Sequence, residues 1–140
     1  MEYVGSTISL GIQIVVLGLL LSAVFLKSQK KYRQHGVVML SALVLHIISI
    51  MVVMVPSFGA FFSMSGTVNF ADTLVIVTLV HVSAGLLAAV LGIWLVSSWH
   101  LKADLQTCFG KKRVMDITFV LWSLAIVLGI ALYLTIIQVV

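Results

Sequence analysis

The sequence predicts an all-α integral membrane protein: an up-and-down bundle of four helices, with both chain termini outside the cell. Three observations carry this. Of the 140 residues 62% are hydrophobic and only 9% are charged, where a soluble domain carries about 25% charged residues. Four long apolar runs alternate with short polar segments. All eight basic residues fall in two of those segments, Lys27–Arg33 and Lys102–Arg113, which is the charge footprint of cytoplasmic loops.

The run with the clearest bounds is 73–99, TLVIVTLVHVSAGLLAAVLGIWLVSSW, which has no charged residue. About 20 apolar residues cross a ~30 Å hydrocarbon core, and this run exceeds that. The other spans are read at about 4–26, 35–56 and 114–140, so that residues 1–140 form one transmembrane domain. The basic rim comprises Lys27, Lys30, Lys31 and Arg33 in the first loop and Lys111, Lys112 and Arg113 in the second. The surroundings implied are a cell membrane, crossed several times, with the basic loops cytoplasmic and lipid as the main contact. The net charge of +4 is accounted for by these rims and implies no nucleic acid. Glu2 and the length of the first apolar run argue against a cleaved signal peptide. The single Cys108 lies in a reducing loop and reads as a bystander thiol.

In helix 1, Gly11, Gly18 and Ser22 lie close to one face, where a neighbouring helix could approach closely. Gln13 is its one strongly polar group within the span. Helix 2 carries His35, Met39, Ala42, His46, Ser49, Val53 and Pro56 at heptad spacing, a stripe that should face the bundle interior. Pro56 ends it, and Ser57–Asp72, with Gly59, Gly66, Asn69 and four phenylalanines, reads as an outer cap at the membrane interface. In helix 3, Ala84, Ala88 and Gly92 form a ridge of small residues, and Trp94 and Trp99 mark the inner headgroup level. Helix 4 begins near Asp116, which suits a helix N-terminus and is placed to pair with Arg113 or Lys112. Trp122, Gly129 and Tyr133 lie roughly on one of its faces.

An ionisable side chain within the bilayer is costly, and so marks a candidate site. His46 lies ten residues before Pro56 and His81 nine after Asp72. At 1.5 Å per residue, His46 sits about 15 Å and His81 about 13–14 Å below the outer surface, on neighbouring antiparallel helices. Two readings follow. In one, the imidazoles are axial ligands of a b-type haem, with Gly85, Ala88 and Gly92 leaving room for the porphyrin; this needs ligating nitrogens about 4 Å apart through iron. In the other, the histidines bond across helices to Ser49, Thr78, Tyr133 or a backbone carbonyl. His35 lies at the cytoplasmic rim, about 16 Å inward of His46, and His100 is also at that rim, where a peripheral copper or haem site formed by the two competes with simple solvation.

From Arg33 onward the pattern includes R-x-H-x-x-x-M-x-x-A (Arg33, His35, Met39, Ala42). It continues with HVSAGLLAAVLG from His81 to Gly92, then K-K-R before helix 4, followed by Trp122, Gly129 and Tyr133. Over about three of the four helices this resembles a family of small four-helix microbial membrane proteins of uncharacterised function, which includes a cytochrome oxidase maturation factor. The resemblance implies a role in assembling or supporting a haem–copper oxidase, with His35 and His81 as the positions that carry over. Two positions depart from the family. Lys112 stands where the family commonly has a His beside the Arg, and His46 is not a family feature.

Three functions are thus expected in order: an accessory or assembly subunit of a respiratory membrane redox complex, with that complex's subunits as partners; a b-type haem electron carrier using His46 and His81; and a small transporter. The last ranks low because the spans hold no carboxylate for a proton relay. No paired carboxylates, activated nucleophile or multi-ligand metal motif points to an enzyme.

Overall fold

In the computed structural model, which describes residues 2–64, 69, 71–99 and 112–138, the chain is an all-α four-helix bundle. Helix α1 spans Glu2–Ser28. Helix α2 runs without a break over 32–64 as three segments, α-helical Tyr32–Ser49, a π-helical turn Ile50–Met54, and α-helical Val55–Met64. Helix α3 spans Thr73–Trp99 and α4 spans Lys112–Gln138. Each is long and apolar enough to cross a membrane, which makes this a multi-pass membrane protein.

Local chemistry explains the ends. Lys30, at φ 60°, closes α1 in the left-handed conformation. Its N–H donates to Lys27 O, and the Lys31 N–H donates to Leu26 O, the paired bonds of a Schellman cap. At the opposite end of the bundle, the Asp72 carboxylate accepts the Leu74 N–H at 3.1 Å and so caps α3.

Pro56 does not end the second helix. In a regular helix a proline ring strikes the carbonyl four residues back and leaves it without a donor. Here that residue is Val52, inside the π turn, where i→i+5 bonding takes the carbonyls out of the i−4 register. The helix therefore continues through Pro56, and residues 57–64 are helical rather than part of an outer loop. Residues 65–68 and 70 lie outside the described residues, as do His100 and the loop that carries Lys102, Cys108 and Lys111.

The helices pair in chain order. α1 packs along α2 and α3 along α4; α1 also meets α4, and the α2–α3 contact is the sparser one. The core is Val16 and Leu20 of α1, Ala42 and Leu43 of α2, Ala88 of α3, and Trp122 and Ile126 of α4. The outside is mainly apolar: Ile14, Leu21, Met51, Val52, Leu86, Val90, Val120 and Val127 are all more than half exposed. Such a jacket suits hydrocarbon, where backbone polar groups are already satisfied within each helix. Hydroxyl groups follow the same logic by bonding back along their own helix, as Ser22 does to Gly18 O, Thr78 to Leu74 O and Thr118 to Val114 O.

Other small-residue and charge expectations are redirected. The α3 ridge is consumed inside the chain: Ala84 and Ala88 are buried, and a Cβ on Gly92 would stand 2.9 Å from the Leu43 side chain. Gly11 and Gly18 of α1, by contrast, face open space, with nothing within 4 Å of a Cβ built on either. Asp116 meets neither Arg113 nor Lys112. Its partner is Lys27 of α1, at 4.0 Å, because α1 packs beside α4 at the basic end. An exposed pair of this kind contributes little stability.

Candidate functional site: a cavity between the helices

Three histidines are fastened in the same way. The His35 Nδ1–H of α2 donates to Ala23 O of α1 at 2.7 Å. The His46 Nε2–H of α2 donates to Gly85 O of α3 at 3.1 Å. The His81 Nδ1–H of α3 donates to Ala125 O of α4 at 2.7 Å. A backbone carbonyl oxygen can only accept, so in each bond the histidine supplies the proton. One bond therefore joins each consecutive pair of helices, α1–α2, α2–α3 and α3–α4.

His46 and His81 are brought together. Both are buried, and both line one cavity with Gln13 and Ser49. The expected interior stripe of α2 holds as far as Ser49: Ala42, His46 and Ser49 are buried, with His35 and Met39 half-buried. It then slips by one residue. Met54, not Val53, lines the cavity, and Pro56 is exposed. At 3.6 residues per turn Met54 would fall about 80° off the face of His46, eight residues earlier. The wider π turn advances fewer degrees per residue and turns Met54 back towards that face. The heptad reading missed Met54 for this reason; the only hint was Pro56, two residues on.

Close packing makes the cavity. Gly129 is buried, and a Cβ there would run into Gln13 Oε1 and lie 2.9 Å from His81 Cε1. Only glycine lets α4 approach these two side chains. Trp122 is fully buried, and its ring is tilted 51° against the His46 imidazole at a centroid distance of 5.2 Å. Tyr133, on the same face of α4, reaches Thr7 at 3.2 Å between hydroxyls.

Several polar atoms here have no hydrogen-bond partner. Gln13 Oε1 and Ser49 Oγ are buried and unpaired, as is Trp122 Nε1. The second ring nitrogens, His46 Nδ1 and His81 Nε2, form no hydrogen bond among the described residues. With each N–H committed to a carbonyl, these nitrogens carry lone pairs in the neutral tautomer. The cavity is mostly apolar, lined by Ile12, Val16, Met54, Ala125 and Ile126, with a few lone-pair atoms from Gln13, His46, Ser49 and His81.

A porphyrin does not fit between the rings as they stand. The space open to the centre of a water-sized sphere is ≈ 10 Å³, about the room for one water molecule. Gly85, Ala88 and Gly92, where room for the macrocycle was expected, are covered by His46, the bundle core and Leu43. His81 holds the orientation of a metal ligand, with Nδ1 anchored on a carbonyl and Nε2 free. His46 is anchored through the other ring nitrogen, with Nε2 on Gly85 O, and so presents Nδ1. Among the described residues no group of three or more His, Cys, Asp or Glu comes together to hold a metal. His35 is tied to Ala23 and stands apart from the central cavity.

No family model, no curated protein and no solved structure matches this chain.

Proposed function

We propose that the chain is an accessory or assembly subunit of a larger membrane redox complex, of the haem–copper oxidase type that the sequence resemblance implies. It sits in the cell membrane with its basic end cytoplasmic. The supporting observation is the open face of α1. Gly11 and Gly18, one heptad apart, leave a shallow groove, continued by exposed Ser22, on a helix that also exposes the large apolar side chains of Ile8, Ile14, Val15, Leu21 and Phe25. Small residues at this spacing let two helices approach closely in lipid. The polar interior meanwhile fastens the chain's own helices together. Purification in mild detergent from the native membrane tests this. The chain should co-migrate with a larger complex bearing redox cofactors; a solitary monomer under conditions that preserve other complexes would overturn it.

The second reading, a b-type haem carrier, draws on the shared cavity of His46 and His81. It requires His46 to release Gly85 O and the helices to part. A haem-replete preparation would then show a Soret band lost in both His46→Ala and His81→Ala. A preparation without that band ends this reading and leaves the first untouched.

A further inference from the structure

We propose that the cavity lined by all four helices is a binding site for one Cu(I) ion, held by His46 Nδ1, His81 Nε2 and the Met54 thioether. Three independent observations converge on it. The first is the fixed tautomers. Each imidazole N–H is spent on a carbonyl of the next helix, at 3.1 Å for His46 and 2.7 Å for His81. Each ring therefore offers its other nitrogen as a lone pair, the arrangement in which a backbone carbonyl orients a metal-binding histidine. The second is the π turn at Ile50–Met54, which replaces Val53 by Met54 at the cavity wall. A π turn within an α-helix is frequently found at functional sites. The third is the unmet demand. Gln13 Oε1 lies buried beside the histidines with nothing donating to it, so an acceptor in the cavity goes unmet.

The donor set selects the ion. Two imidazoles and a thioether are borderline-to-soft ligands, which favour Cu(I) over the oxygen-seeking alkali and alkaline-earth cations. No carboxylate lines the cavity among the described residues. A divalent ion would bring two uncompensated charges into a membrane interior, whereas Cu(I) brings one. The space is the size of a single small ligand. Cu(I) is colourless, so the site makes no demand on the spectrum that tests the haem reading. The proposal goes beyond the accessory-subunit reading and does not depend on it, because it is measured on the isolated chain.

The test uses the full purified chain with Cys108→Ser, which removes the thiol as a rival ligand. Cu(I) alone, under reducing anaerobic conditions, is competed against a chromogenic Cu(I) chelator. One equivalent per chain should be retained, and X-ray absorption should show nitrogen and sulfur neighbours. Met54→Leu conserves volume and is expected to fold; it should weaken binding tenfold or more and remove the sulfur signal. His46→Ala and His81→Ala should abolish binding, while His35→Ala and His100→Ala should leave it unchanged. Loss of binding in Cys108→Ser itself, binding unaltered in Met54→Leu, a copper site without sulfur, or tighter retention of Zn(II) than of Cu(I) would each overturn the proposal.

Discussion

The rim histidine and the two central histidines make the same bond in different settings. His35 donates to Ala23 O, on a residue with no exposed surface, and the helices close around it. His46 and His81 also donate to carbonyls, yet they bracket a cavity where Gln13 Oε1 and Ser49 Oγ go unpaired. A helix-to-helix bond is therefore not what sets the central pair apart. The difference lies in the unpaired polar atoms at the cavity, and in the glycine and tryptophan packed against its histidines.

The largest effect should come from removing the aromatic ring that backs His46. Trp122 is fully buried and packs on the His46 ring. Trp122→Ala should cost about 3–5 kcal/mol, read as a lowered midpoint of unfolding in detergent. If the loss is no greater than that of His35→Ala, the central region is not the better-packed one and the comparison fails.

Next comes Gly129→Ala. The new methyl would press on Gln13, which can swing aside, and on His81, which cannot while it holds Ala125 O. Overpacking of this kind costs about 1–3 kcal/mol. Pairing it with His81→Ala in a double-mutant cycle isolates the clash. With the imidazole gone, Gly129→Ala should cost measurably less; strict additivity would show that the histidine does not feel the glycine.

The histidine bonds themselves should be worth less. Interhelical hydrogen bonds in membranes average about 0.6 kcal/mol and reach about 1.7. His35→Ala should lie near the average, since it loses that bond and the packing of a half-buried ring but opens no cavity. His46→Ala and His81→Ala should lie higher, because each also enlarges a cavity. Equal losses at all three positions, in the same unfolding measurement, would erase the distinction between rim and centre.

Much of this contrast was legible in the sequence. The four spans follow from apolar length, and 73–99 was bounded by Asp72 before it and His100 after it. His46 and His81 were placed at one depth by counting residues from their helix ends, and they do share a cavity. The count used Pro56 as the end of helix 2, however, and the helix passes through it. A proline signals a disturbance of the hydrogen-bond ladder, but a helix can absorb it with one wide turn. That turn adds a residue to the face, so Met54 took the place assigned to Val53. Which carbonyl each histidine would choose was not legible, because every residue supplies a carbonyl and only packing decides which one is near.

The smallest effect on the chain alone is the one that most sharpens the outside of the molecule. Gly18 stands in mid-helix with open space where a Cβ would go. Gly18→Ala should therefore be neutral or stabilising, by up to about 1 kcal/mol, from helix propensity. It contrasts with Gly129→Ala, where the same methyl meets two side chains. If the open face of α1 receives a partner helix, Gly18→Ala should reduce co-purification with the larger complex while the isolated chain melts no lower than before. Substitution by Ile, with a bulkier side chain, should abolish the association. Unchanged co-purification with Gly18→Ile would show that the partner, if it docks, uses a different helix.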